Sequence, residues 1–250
     1  MGEKMVDYQI VAIIPAAGTG QRMNAGVNKI WLSLAGRSIL ELVLEVFQET
    51  NTIDHVVLVV NAAEEREITH LIEQNSKLNP EKFTIIHGGK ERQDSVAAGI
   101  GYYQNWSGWA TPHRMVLIHD AARALVTSNI LEDAILACRT YQAVGVATPV
   151  KDTIKQIDTA GYVVATPERS TLWAVQTPQV FDFNLISDCY KKVVALNRNF
   201  TDDCAVAEYC GHRVKLVMGS YENFKITTPE DLIVAEAIVR RRQDANRAGV

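Results

Sequence analysis

Apolar, β-branched runs alternate with segments of helical period along most of this chain, and no other feature limits its possible folds so strongly. Such alternation marks a parallel sheet wound with helices on both faces. The pattern predicts strands over Tyr8 to Pro15, His55 to Val60, Phe83 to His87, Met115 to His119 and Val144 to Pro149. Helices are expected between them over Ser38 to Thr50, Glu64 to Asn75 and Gln93 to Tyr103, and from a Ser128 N-cap to about Tyr141.

After Pro149 the rhythm changes. Lys151 to Thr166 alternates apolar and polar residues around Thr159-Ala160-Gly161, which reads as a hairpin projecting from the sheet. A projecting hairpin has edges to cover, and pairing with another subunit covers them. Next come an expected strand over Leu172 to Val175, helices over Asn184 to Leu196 and Asp203 to Tyr209, and a strand over Val214 to Met218. A last helix is expected from Pro229 to about Arg241, its end capped and solvated by Arg240-Arg241-Arg242. The fold class is therefore α/β: a doubly wound, mainly parallel, Rossmann-like sheet with a β-arm at about 151–171, in one domain spanning 1–250.

Composition narrows the class of partner. A net charge of -4 argues against nucleic acid, because a surface that tracks phosphates needs a basic excess. No apolar run reaches membrane-spanning length, and Met1-Gly2-Glu3-Lys4 leads into a strand, not a signal peptide, so the cytoplasm is expected. Cys138, Cys189, Cys204 and Cys210 lack paired spacing and read as free thiols.

In an open parallel sheet, ligands gather at the carboxyl ends of the strands, and the polar clusters of this chain fall there. The first strand breaks into Ala16-Ala17-Gly18-Thr19-Gly20-Gln21-Arg22-Met23, followed by Asn28-Lys29. A dinucleotide fingerprint would need a third glycine where Met23 stands, and no Gly-Lys-Ser/Thr triplet makes a Walker A loop. Small residues that admit a ligand to the backbone, with Arg22 and Lys29 behind them, instead suit a nucleoside triphosphate. An ordinary strand-to-loop turn uses the same glycines. Gly88-Gly89, with Ser95 beyond, suits contact with a base or ribose. Asp120 at the end of a buried strand suits a magnesium ion beside phosphates, with Arg123 orienting it through an ion pair. His119 reads as a packed strand residue. Lys225, on an extended segment before the helix start at Thr228-Pro229, can reach a phosphate. Nothing marks a protein nucleophile, so the substrate must supply it.

Taken in order, these clusters resemble the 2-C-methyl-D-erythritol 4-phosphate cytidylyltransferases. The resemblance runs from about Ile10 to Ala237 and takes in Val150-Lys151-Asp152-Thr153-Ile154-Lys155, Gln176-Thr177-Pro178-Gln179 and Thr201-Asp202-Asp203. It implies transfer of CMP from CTP to the methylerythritol phosphate, with release of pyrophosphate. Arg22, Lys29 and Lys225 would be catalytic, and Asp120 would sit near the magnesium. Ala16, Ala17, Gly18, Gly20, Gly89, Ser95 and Ala121 would surround the nucleotide. The arm would exchange between the subunits of a homodimer, so that Thr153 and Arg169 reach the partner's substrate, with Arg123 and Thr201 at the same subsite. This chain departs from many members at Asn28 and Ala124, where they have proline, at Ile30, where they have glutamine, and at Asp203, where glutamate is commoner. Two alternatives stay open at this point: a ribitol 5-phosphate cytidylyltransferase and a non-catalytic nucleotide-binding protein.

Overall fold

The computed structural model describes residues 7–18, 28–196 and 198–248. In chain order the elements are β1 (Gln9–Pro15), the two-residue strands β2 (Ser33–Leu34) and β3 (Arg37–Ser38), α1 (Ile39–Glu49), β4 (His55–Val60), α2 (Glu65–Gln74), β5 (Phe83–His87) and α3 (Arg92–Gln104). Then follow β6 (Arg114–Ile118), α4 (Ser128–Tyr141), β7 (Ala143–Pro149), β8 (Gln156–Ile157), β9 (Val163–Ala165) and β10 (Trp173–Asp182). The chain ends with α5 (Phe183–Ala195), α6 (Asp203–Tyr209), β11 (Lys215–Met218) and α7 (Pro229–Ala248). Seven strands form one sheet in the order β11-β7-β10-β6-β1-β4-β5. Every neighbouring pair is parallel except those made by β10, which is antiparallel to both β6 and β7.

Alternation along β1 divides the core between the two faces of this sheet. Ile10, Ala12 and Ile14 pack in a cluster with Leu40, Val43 and Leu44 of α1 and Leu131 and Ile135 of α4. Val11 and Ile13 face the other way, clustering with Val96 and Ile100 of α3 and Ile186 and Val193 of α5. Each large apolar side chain buried in this way contributes about 1.5–3 kcal/mol. The second face is packed to its limit at Gly99, where a Cβ would lie 2.7 Å from Cγ2 of Ile13. Gly99→Ala gains about 1 kcal/mol of helix propensity. Overpacking against a branched, buried strand residue costs about 1–3 kcal/mol, so a net loss of about 1 kcal/mol is expected in urea denaturation.

Three elements differ from the sequence reading. The strand expected over Leu172 to Val175 runs on to Asp182, through a register shift between Val175 and Gln179 that contains Pro178. Proline lacks the ladder donor, and this break in the pattern hides the second half of the strand. Thr127, not Ser128, caps α4, its hydroxyl accepting from the Ile130 amide, and Ser128 is the first helical residue. The last helix runs on to Ala248, so Arg240-Arg241-Arg242 lies within it and caps nothing. Arg240 pairs with Glu236 one turn back, while Arg241 and Arg242 both hold Glu222.

The arm is a short hairpin in which β8 pairs antiparallel with β9. Its turn is closed by the Asp158 carboxylate, which accepts from the amides of Ala160 and Tyr162, and by Gly161 at φ +87. Ile154, Ile157, Tyr162, Val163 and Val164 on the arm are exposed.

Candidate active site

The carboxyl ends of β1, β5 and β6 open onto one cleft. Ala16, Ala17, Gly18, Lys29, Gly89, Ser95, Asp120, Ala121 and Lys225, all singled out from the sequence, line it together with Arg92. Arg22 and Gly20 lie outside the described residues. Thr153 and Arg169 stand on the arm and Thr201 on the bend before α6; none of these three lines the cleft.

The floor is made of small residues for a packing reason. A Cβ on Gly88 would come within 2.6 Å of the Ser95 hydroxyl and 2.8 Å of the Ala17 methyl, whereas one on Gly18 would meet nothing within 4 Å. Gly88 thus lets the first loop and α3 close up, and Gly18 leaves backbone open to a ligand. Ser95 itself is buried, with its hydroxyl donating to the Glu91 carbonyl at 3.3 Å.

Lys29 begins a single turn, Lys29–Trp31, that Asn28 caps. The Asn28 amide donates to Glu64 Oε2 at 2.9 Å, and the Trp31 indole donates to Glu64 Oε1 at 2.9 Å. The lysine turn is thus anchored through both oxygens of one glutamate.

Asp120 follows β6 and is the electrostatic centre. Its Oδ1 accepts from Nε of Arg92 at 2.7 Å and its Oδ2 from Nζ of Lys225 at 2.7 Å. Burial would raise its pKa, but the charges and hydrogen bonds of Arg92 and Lys225 outweigh that and hold the carboxyl well below the usual range. Lys225 is set in place by its neighbour: Ile226 is fully buried, and its amide donates to the Ala122 carbonyl at 2.9 Å. The expected pair between Asp120 and Arg123 does not form. Arg92 and Lys225 take the two carboxylate oxygens, and Arg123 donates to the carbonyls of Asn223 at 2.9 Å and Val175 at 3.4 Å. Arg123 Nε and Asn223 Oδ1 are both buried and have no partner among the described residues.

Arg92 is the residue that sequence reasoning missed. It stands at the first position of α3, where the helix dipole disfavours a cation, and that misplacement was the available signal. Two carboxylates compensate: besides Asp120, Asp203 accepts from Arg92 at 2.8 Å.

His119 is fully buried behind Asp120, as expected of a packed residue. Its Nε2 donates to the Arg123 carbonyl at 3.2 Å, and its Nδ1 accepts from the Thr177 hydroxyl at 3.1 Å, which fixes the neutral tautomer. Burial pushes its pKa down to about 4, and burial does the same to His55. The unfolded chain takes up these protons near pH 6.5 and the folded chain only near pH 4, so stability is lost as pH falls between the two. Melting curves should move steadily to lower temperature from pH 7 to 4.5, with His119 alone accounting for on the order of 2 kcal/mol at pH 5. An unchanged Tm over that range would contradict neutral, buried rings. All four cysteines are free, with Cys138, Cys189 and Cys204 buried.

No group of three or more His, Cys, Asp or Glu side chains converges among the described residues. Each oxygen of Asp120 keeps a lone pair besides its bond to Arg92 or Lys225, so this carboxylate could share in holding a magnesium ion whose other ligands are substrate phosphates and water. No helix among the described residues is long and apolar enough to cross a membrane.

The family model for IspD, 2-C-methyl-D-erythritol 4-phosphate cytidylyltransferase, matches residues 10–241. The chain belongs to this family. Among cytidylyltransferases of that name, the one from Desulforamulus reducens is 42% identical over 233 residues, covering 93% of this chain and 97% of the relative. The one from Clostridium novyi is 43% identical over 230 residues, covering 91% and 95%. The crystal structure of 4-diphosphocytidyl-2C-methyl-D-erythritol synthase from Anaerococcus prevotii superposes with a TM-score of 0.79 at 34% identity, covering 93% of this chain and 96% of that one. The cytidylyltransferase from Thermus thermophilus gives 0.73 at 28% identity, covering 93% and 99%. In this cytidylyltransferase Ala16 to Gly18, Lys29, Gly89, Asp120 and Lys225 line one cleft at the strand ends.

Proposed function

We propose that this chain transfers CMP from CTP to 2-C-methyl-D-erythritol 4-phosphate, releasing pyrophosphate, within isoprenoid biosynthesis. The observation that carries this reading is the convergence of Lys29, Arg92 and Lys225 on a cleft floored by small residues and centred on one buried carboxylate. In-line attack by a phosphate oxygen on the α-phosphorus forms one P–O bond and breaks the bond to pyrophosphate. Charge accumulates on the phosphoryl oxygens, and fixed cations stabilise it without reorganising. Lys29 on its anchored turn, with Arg22 beside it in sequence, holds the triphosphate, and Lys225 faces the reacting phosphates. Ala16, Ala17, Gly18, Gly20, Gly89, Ser95 and Ala121 enclose the nucleoside.

Magnesium would be held by Asp120 together with the triphosphate, and when bound it neutralises phosphate charge. Arg123 serves the phosphorylated polyol; its buried, unpartnered Nε supports a role as an anion donor. Thr201 serves the same subsite. Thr153 and Arg169 stand on the arm, where the exposed apolar side chains support pairing with a second copy in a homodimer. Arg169 donates to the Lys151 carbonyl at 2.9 Å, which ties the two ends of that arm together. These two residues would then complete the partner's site. The cytoplasm is the location consistent with such an enzyme.

Pyrophosphate release with CTP and a panel of phosphorylated polyols tests the reading. Turnover is expected with methylerythritol phosphate. A preference for ribitol 5-phosphate, or CTP binding with no release, would overturn it.

A further inference from the structure

Asp203 is the first residue of α6, and it is completely buried. A carboxylate at that position ordinarily serves the helix N-terminus, but this one does not. Asp202 caps α6 by accepting from the Ala205 amide at 2.8 Å. Gln179 takes the next two amides, those of Asp203 and Cys204, at 2.9 Å each. The Asp203 side chain is left for other partners: its Oδ1 accepts from the Tyr190 hydroxyl at 2.5 Å and its Oδ2 from Arg92 at 2.8 Å. A buried ion pair contributes little net stability compared with apolar packing, so stability alone does not account for this placement.

We propose that Asp203 is a positioning residue for phosphoryl transfer: it fixes the Arg92 guanidinium, and through it the Asp120 carboxylate that faces Lys225. This assignment rests on the cytidylyltransferase reading of the cleft. With one carboxylate partner, a guanidinium can rock about its long side chain. With carboxylates on two of its nitrogens, Nε to Asp120 and Nη2 to Asp203, the plane of the fork is set. Tyr190 fixes Asp203 in turn. Asp203 also balances the charge of Arg92, so that the second oxygen of Asp120 is committed to Lys225. The same junction docks the segment carrying Thr201: Gln93, next to Arg92, donates to the Arg198 carbonyl and accepts from the Phe200 amide, both at 2.9 Å. Arg92 and Gln93, adjacent on α3, thereby tie the Asp120 side of the cleft to the segment that carries Thr201.

Three variants of the full chain decide the matter: Asp203→Asn, Asp203→Glu and Tyr190→Phe. Each is assayed for kcat and for KM of both substrates, normalised to folded protein by its melting curve. Misplacing a charged group by a fraction of an ångström acts on the transition state more than on ground-state binding. Asp203→Asn is therefore expected to lower kcat by about tenfold to thirtyfold while KM for CTP changes by less than about threefold. Asp203→Glu keeps the charge and should recover kcat to within about threefold of the parent, and Tyr190→Phe should lose about threefold to fivefold. A purely structural role would lower Tm and leave kcat per folded molecule intact. That result in Asp203→Asn overturns the proposal, as does an equal loss in the Asn and Glu variants. Should Asp203→Asn fail to fold, an unchanged kcat in Tyr190→Phe overturns it, and a reduced one supports it. Absence of turnover in the parent chain would bring down the functional reading itself. An active parent with an unaffected Asn variant brings down only this assignment.

Discussion

Lys225→Ala should lower kcat by roughly two orders of magnitude, the scale found when one fixed donor to a developing oxyanion is lost. The expectation follows from how the lysine is held. Its neighbour Ile226 is buried and bonded to the loop after β6, so the ammonium is presented from a rigid segment. Its contact with Asp120 at 2.7 Å aims it at the cleft before any ligand arrives. Removing it leaves Asp120 still paired with Arg92, so the fold should survive and the loss should be kinetic. Steady-state pyrophosphate release, with Tm measured alongside, separates the two effects. Near-parental turnover would remove Lys225 from the catalytic set.

Arg92→Met should have the largest effect on stability, about 3–5 kcal/mol, because it strands a buried carboxylate without its counter-charge. The side chain of Asp203 has no exposure, and only the Tyr190 hydroxyl would remain to it. Urea denaturation reads the loss directly. The pH dependence identifies its cause. A stranded carboxylate can relieve itself by taking up a proton, so the difference from the parent should shrink as pH falls from 7 toward 5. A difference that stayed constant with pH would point to lost packing of the arginine stem. Arg92→Lys should restore only part of the stability, since an ammonium cannot span two carboxylates as the planar fork does.

Much of the site was legible because strand ends are legible. Where a run such as Met115 to His119 stops and a carboxylate follows, topology alone brings Asp120 to the ligand edge. Gly88-Gly89 and Lys225 were readable by the same logic, each next to a recognisable element boundary. Arg92 and Asp203 were not, because their meaning lies in a contact between residues 111 apart in the chain. Read locally, one is an arginine at a helix start and the other a first-turn carboxylate. The second half of β10 was obscured by Pro178, which interrupts the pattern without ending the strand. The arginine run in α7 was misread for a related reason. Three cations in a row suggest a solvated terminus, yet two of them reach Glu222, which precedes the Lys225 segment.

The contact between Lys225 and Asp120 also sets a threshold on ligand charge. To engage Lys225, an arriving group must draw the ammonium from a carboxylate that already satisfies it. A neutral nucleoside offers nothing in exchange, and a monoanion offers little more than Asp120 does. A polyphosphate carries enough charge to win the competition. The resting cleft is thus expected to favour high valence before the base is read, and cytidine should occupy it far more weakly than the triphosphate.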